Sequence, residues 1–518
     1  MTAMFSSHAR RSLALGAALA VAATTLVGCT AAPAASDVDE LTIALQAGPA
    51  SLDPAVLDPA FAYYADLAYT PLIIRGSDGT LRPGLATEWG YVGDGNTTFE
   101  LKLREGVEFS DGGKLTAEGV VDHLNYVQSA GATPSTWLGG ATFAATDEMT
   151  VAVTLATPVP NVEFFFTQFG TGLADVISPD GLANPDSLGT STHGAGPYIL
   201  DESATVTGDH YVYTPNPTYW DAENVHWDKV TIKIIANQSS ILNSMKSGQV
   251  DIAPFDYTTA ADAKGAGMNV HSVPNVFTGL NLLDRDGTLV PALGDVRVRQ
   301  AINFAIDRQA VGEALYGEFA DPTTQTTQDT GFQEELDDYY AYDPDKARTL
   351  LAEAGYPDGF EFTVASTPFF NGDTMVQAIA GQLAKVGITL NMESIADTSE
   401  WATRMSSGEF PAASIGYGSL PLSVEGPGLF LPTAFFNGFH TEDAELTDLY
   451  QQLLVAAPDD VKGVSEKLEK RLVELAWFAP VGWAPLGYYW GDKVDSTELD
   501  ATTGLSPSAA IIDIKPAG

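Results

Sequence analysis

Phe99-Glu100-Leu101-Lys102-Leu103-Arg104-Glu105-Gly106-Val107-Glu108-Phe109-Ser110-Asp111-Gly112 carries several structural instructions in one short run. From Phe99 to Arg104 apolar and charged side chains alternate, the period of a strand with one face on a core. Gly106 and then Asp111-Gly112 punctuate the run as turns. The chain continues Gly113-Lys114-Leu115-Thr116-Ala117-Glu118-Gly119-Val120, where Thr116 has the type and place of a helix N-cap. An acidic residue three positions on would complete a capping box. That position is Gly119, which also weakens a helix by up to about 1 kcal/mol relative to alanine.

The same alternation of short strands and helices extends in both directions, which argues an α/β architecture. Leu41-Thr42-Ile43-Ala44-Leu45, Val151-Ala152-Val153-Thr154-Leu155 and Thr231-Ile232-Lys233-Ile234 read as strands. In the run from Tyr342 to Gly355, Asp343 is placed as N-cap, Pro344 at the first helical position and Gly355 as the stop. Ala347, Leu350, Leu351 and Ala354 form its apolar stripe. A single helix is expected from about Asp295 to Tyr316, with Val298, Ala301, Ile302, Ala305 and Ile306 inward and Arg297, Arg299 and Arg308 outward. No repeat of fixed period is evident.

The 518 residues carry 25 Lys+Arg against 67 Asp+Glu, a formal net charge of −42. Phosphate backbones would be repelled, so nucleic acid is excluded as a partner. The acidity itself reads as solubility, or as adaptation of an exposed protein to salt. With 45% hydrophobic and 18% charged residues the chain is globular, and its length implies two or three domains.

The amino terminus opens with Arg10-Arg11 and an apolar run from Leu13 to Val27, interrupted only by Thr24 and Thr25. That is the length of a secretory leader and too short to span a bilayer. It ends in Leu26-Val27-Gly28-Cys29, which holds the only cysteine of the chain and resembles the lipobox of bacterial lipoproteins. The resemblance implies a signal peptide over 1–28 and diacylglyceryl attachment at Cys29, anchoring the protein to the outer face of a membrane. Residues 29–37 are small and polar, a flexible tether.

Arg82-Pro83-Gly84-Leu85-Ala86-Thr87-Glu88-Trp89, the 99–120 run, Gly194-Ala195-Gly196-Pro197-Tyr198, Asn216-Pro217-Thr218-Tyr219-Trp220, the stretch Asp295 to Arg308 and Ala354-Gly355-Tyr356 occur in an order that resembles the extracellular solute-binding proteins of ABC importers, family 5, the oligopeptide, dipeptide and nickel branch. The resemblance runs from about Leu41 to Pro480. It implies a two-lobe, type II periplasmic-binding-protein-like α/β fold with an extra α/β subdomain, the lobes joined by crossover strands. The first lobe would comprise 38–75, 190–274 and 486–518, the extra subdomain 76–189, and the second lobe 275–485. Such a protein is a monomeric receptor that captures a small ligand, a peptide by default and otherwise an oligosaccharide or metal chelate. It delivers the ligand to a membrane permease and its ATPases without a cofactor or bound metal.

By position in the family pattern, Gln46, Ala47, Gly48 and Pro49 would meet the ligand from the first lobe and Trp137 from the extra subdomain. Trp401, Tyr417, Gly418 and Trp483 would meet it from the second lobe. Aromatic walls with a few directed polar groups are what a buried ligand site needs. One departure stands out: peptide binders place an aspartate for the ligand's ammonium where this chain has Leu420, in Gly416-Tyr417-Gly418-Ser419-Leu420-Pro421. Either Glu425 takes over that carboxylate's role, or the ligand has no free amino terminus.

Catalytic motifs are absent: there is no His-Glu-x-x-His, no Gly-x-Ser-x-Gly and no phosphate loop. His123, His193, His210, His226, His271 and His440 are scattered without metal-ligand spacing. The chain therefore reads as a non-enzyme. A surface hydrolase and a lipoprotein that binds a partner protein are the rival classes, separated from a receptor by turnover and by the absence of permease and ATPase genes alongside.

Overall fold

The alternation from Phe99 to Arg104 becomes the strand Thr98–Leu103, with Phe99, Leu101 and Leu103 buried. In the computed structural model, which describes residues 39–132, 138–503 and 511–518, this strand is central in a four-stranded antiparallel sheet. Its neighbours are Ala86–Tyr91 on one side and Thr150–Thr154, followed by Thr142–Asp147, on the other. Thr116 caps the helix Ala117–Ala130, its hydroxyl accepting from the Gly119 amide at 3.1 Å, and Gly131 ends it at φ 68°. Val120, Leu124 and Val127 of that helix join Phe99, Leu101 and Phe166 in one core, that of the extra subdomain.

Among the described residues the main sheet has eleven strands, ten in one path and Asp321–Pro322 paired beside it with Phe478–Trp490, and its order explains how the remainder holds together. Ile388–Ser394, Phe360–Ser366 and Ala412–Gly418 form one end; Ile252–Pro254, Glu40–Leu45, Lys229–Ile234, His210–Pro215 and Tyr198–Leu200 form the other. Between them lie the long antiparallel strands Asn269–Leu282 and Phe478–Trp490, which serve both ends. Their pairing shifts register between Pro274 and Val276, a bulge in the middle of the crossing. On one side of it Leu41, Ile43, Tyr213, Ile232 and Trp490 build the core we take to define the first lobe. On the other, Leu280, Ile302, Val364 and Ile379 build that of the second lobe.

The helix expected from Tyr342 to Gly355 is present as Pro344–Glu353, capped by Asp343, whose carboxylate accepts from the Lys346 amide at 2.8 Å. The single helix expected over 295–316 is two, Val296–Phe304 and Arg308–Tyr316. Asp307 starts the second by accepting from the Ala310 amide at 3.1 Å, so the chain turns at Ala305-Ile306. Arg297 is exposed as expected, but Arg299 and Arg308 are 4% and 7% exposed. Carbonyls left open at helix ends attract them inward: Arg299 donates to Leu293 O at 2.7 Å and Leu475 O at 3.1 Å. Arg308 donates to Thr323 O at 3.1 Å, Tyr340 O at 2.9 Å and both oxygens of Asn303.

Candidate functional site

In the second lobe, the strand Phe360–Ser366 delivers its chain into the turn Thr367–Asn371 beside the strand Ala412–Gly418. The helix Thr398–Ser406, capped by Asp397 onto the Glu400 amide at 2.8 Å, brings Trp401 over the same edge. Between them is a pocket of about 310 Å³ walled by Phe369, Phe370, Trp401, Ile415 and Phe436. The indole of Trp401 lies 6.4 Å from the Phe436 ring at 54°, and Phe369 is 61% exposed at the rim. Gly416 makes room for this floor, since a Cβ there would come within 2.5 Å of the Phe370 ring.

The polar lining consists of hydroxyls, those of Thr367, Thr398 and Ser414. The Ser414 hydroxyl is buried without a hydrogen-bond partner, and such a group costs free energy until something bonds to it. Among the described residues no ionisable side chain lines the pocket. Flat aromatic walls and neutral hydroxyls suit an uncharged ring with a polar edge, whether aromatic or sugar.

Of the other second-lobe residues singled out in the sequence, Tyr417 touches a wall of this pocket, while Gly418 and Trp483 are not among its lining residues. Tyr417 stands edge-on to Phe436 at 5.6 Å and 90°, half-buried, with its hydroxyl pushed up in pKa by burial and by Glu425. Gly418 pairs with Val276 at the edge of the crossing. Trp483, expected as a wall, is 2% exposed and packs edge-on against Phe277 at 6.1 Å. It backs the site from a core shared with Trp477 and Phe478, because its strand is interior to the sheet. Gln46 and Ala47 are exposed at the end of the strand Glu40–Leu45, Gly48 is half-buried and Pro49 buried. The Tyr64 hydroxyl donates to Ala47 O at 3.0 Å, and a Cβ on Gly48 would meet Ile234 at 2.5 Å. These four belong to the first lobe and share no wall with Trp401. Trp137 and Cys29 lie outside the described residues. Phe369, Phe370, Ser414 and Phe436 were not singled out: aromatic and hydroxyl side chains are ordinary in sequence, and no spacing ties these together.

Glu425 does not replace the missing aspartate. Its side chain is fully buried, one oxygen accepts from the Leu420 amide at 3.1 Å, and the other has no partner. Burial first, then Glu469, hold its pKa well above the carboxylate range, so its charged form is disfavoured and it faces inward. Leu420 and Val424 instead pack on the core of the extra subdomain, and the Ser423 hydroxyl donates to Asn161 there at 3.2 Å.

Glu469 is the second buried acid of this region, accepting from the Thr326 amide at 2.6 Å and hydroxyl at 2.9 Å, with burial pushing its pKa up to about 7. A carboxyl raised in the folded state stabilises fully below its unfolded pKa and loses that contribution as pH rises through the folded value. Denaturant unfolding across this range is expected to show stability falling between pH 4.5 and about 7, by on the order of 3 kcal/mol from Glu469. Glu469→Gln, which mimics the protonated form, should make the profile shallower, leaving the share of Glu425; an unchanged slope would contradict the assignment.

One arrangement tests the enzyme reading. Ser187 Oγ lies 3.0 Å from His193 Nε2, and His193 Nδ1 lies 3.7 Å from Asp111 Oδ2. In a hydrolytic triad the serine donates to the imidazole, which donates to the carboxylate. Here the Ser187 hydroxyl is shared with Asn184 O at 2.8 Å, and the His193–Asp111 separation is too long for the hydrogen bond that would orient the imidazole. Asp111 is held by Ser178 and by the Gly113 amide. The trio ties a loop down without the continuous relay of a triad. Among the described residues, no three His, Cys, Asp or Glu side chains are grouped to hold a metal.

Comparison with known proteins follows the same architecture. The model for bacterial extracellular solute-binding proteins, family 5, middle segment, matches residues 80–427. Glutathione-binding protein GsiB of Salmonella paratyphi A is 28% identical over 308 residues, covering 58% of this chain and 58% of that protein; the match thus spans little more than half the length of that curated relative. Heme-binding protein A of Haemophilus influenzae is 27% identical over 422 residues, 71% of this chain and 72% of that protein. The ABC transporter substrate-binding protein CtaP of Listeria monocytogenes has the same fold, with a TM-score of 0.79 at 20% identity over 93% of this chain and 100% of that one.

Proposed function

Since this chain belongs to the bacterial extracellular solute-binding proteins, family 5, we propose that it is the receptor of an ATP-driven importer, capturing a small ligand between its lobes and presenting it to a membrane permease. The observation that carries this reading is the ring-walled pocket of about 310 Å³ on the second lobe, set in a sheet whose crossing strands allow the lobes to close. Trp401, Tyr417 and Gly418 act from that side, Gln46 to Pro49 and Trp137 from the first lobe and its subdomain. Cys29 carries the lipid anchor that keeps the receptor at the outer membrane face. Among the described residues no helix is long and apolar enough to cross a membrane. The receptor works as a monomer and performs no chemistry on its cargo; the gap between His193 and Asp111 supports the second point.

The relatives are named for glutathione and heme, and the family's common cargo is peptide. For this chain, a leucine at 420 and a pocket free of charge favour cargo without an exposed ammonium: a blocked or ring-bearing peptide, or an oligosaccharide. Residues 30–518 can be screened by thermal shift against blocked and free peptides, cello- and xylo-oligosaccharides and metal chelates, with bound cargo recovered for mass spectrometry. Stoichiometric stabilisation by an uncharged ring-bearing compound, recovered intact, is expected. Turnover of the compound would establish the hydrolase instead.

A further inference from the structure

The turn that floors the pocket also reaches the other lobe. Phe369 and Phe370 face the pocket, while the next residue, Asn371, donates from Nδ2 to the Tyr257 hydroxyl at 2.6 Å. Tyr257 follows the strand Ile252–Pro254 of the first lobe, yet its ring stands edge-on to Tyr316 of the second at 5.4 Å and 90°. It packs against the cores on both sides.

Backbone geometry makes these two contacts one. Phe370 has φ 48° and ψ 35°, and Asn371 has φ 58° and ψ 23°, consecutive non-glycine residues in the left-handed region. Asparagine tolerates that region, whereas a bulky residue such as phenylalanine is seldom found there. The turn is also confined from below. Gly416 has no Cβ where the Phe370 ring sits, and a Cβ on Gly372 would lie 2.4 Å from Thr367 O. Releasing Phe370 to an extended conformation would swing its ring out of the pocket floor and withdraw Asn371 from Tyr257 together.

We propose that the Phe370-Asn371 turn couples the pocket to the lobes: a ring seated on Phe370 holds the left-handed turn, and that turn holds Tyr257 and with it the contact between the lobes. The functional consequence rests on the ligand-capture reading above, but the coupling itself is testable without ligand. Two variants of the whole protein approach it from opposite ends. Tyr257→Phe removes only the hydroxyl and leaves the ring on Tyr316; Gly416→Ala displaces the Phe370 ring from within the pocket. Hydrogen exchange over 367–372 reports on the turn, and spin labels at the exposed positions Ser247 and Lys385 report the distance between lobes.

Tyr257→Phe is expected to speed exchange over 367–372 by about tenfold while the strand Thr150–Thr154 stays as protected as in the parent. Gly416→Ala is expected to shift the label distances toward longer values. Either variant leaving the opposite side unchanged overturns the proposal. A protein that captures no cargo would fail the receptor reading while leaving both readouts intact.

Discussion

Trp401→Ala is expected to abolish stabilisation by cargo while leaving the ligand-free protein folded. The side chain is half-buried, with its indole Nε1 3.5 Å from Ala365 O and its rear face on the small core of Leu283, Met405 and Phe410. Its removal opens a wall already facing solvent, so the ligand-free cost stays well below that of emptying an interior site. For cargo the balance differs, because an aromatic anchor at the centre of a contact contributes about 2–4 kcal/mol. With cargo at about 100 times its dissociation constant, the parent gains about 2.7 kcal/mol; a hundredfold weakening leaves about 0.4 kcal/mol. Trp401→Phe should retain part of the shift. Calorimetric titration and thermal shift on the same preparations measure both numbers, and equal stabilisation in variant and parent would remove Trp401 from the site.

The largest loss of stability is expected from Arg308→Ala. The guanidinium is 7% exposed and no carboxylate faces it; its donors are used by Thr323 O, Asn303 O, Tyr340 O and, at 2.6 Å, Asn303 Oδ1. Burial lowers its pKa to about 10, so it remains charged at neutral pH. Truncation takes the donor from three buried acceptors, Thr323 O, Tyr340 O and Asn303 Oδ1, and opens a cavity beside Tyr340, for an expected cost of about 3–5 kcal/mol. Arg308→Lys keeps the charge but cannot span the same fork of acceptors, and recovers less than half. Urea unfolding followed by tryptophan fluorescence gives the comparison. A loss below about 1 kcal/mol for the alanine variant would show that water satisfies these carbonyls.

What could be read from the chain alone was whatever local chemistry decides. Thr116 and Asp343 cap the helices where their spacing put them, and the alternating run at 99–104 became a strand buried on its apolar face. The two-lobe fold came from the resemblance of such segments, in their order, to a known family. What could not be read depended on distant partners. Arg299 and Arg308 look like a solvent face in the sequence, yet their acceptors include Leu475 O and Tyr340 O, far along the chain. The break between Phe304 and Arg308 was hidden by apolar residues that continue the helical period through it. At the site, Trp401 and Tyr417 stood out as aromatics at family positions. Ser414 and the left-handed Phe370 did not, because neither burial without a partner nor a positive φ leaves a mark on residue type. Trp483 was misplaced for a related reason: an aromatic in an interior strand and one on a groove wall have the same one-letter environment.

The two long strands, Asn269–Leu282 and Phe478–Trp490, settle what kind of fragment this protein can be divided into. A chain cut near residue 275 would part 269–274 from their partners at 485–490, exposing backbone amides and carbonyls of the pairs from Asn269–Trp490 to Pro274–Pro485 with nothing to receive them. Neither half is therefore an autonomous folding unit, and the two must be synthesised and matured as one piece despite having separate cores.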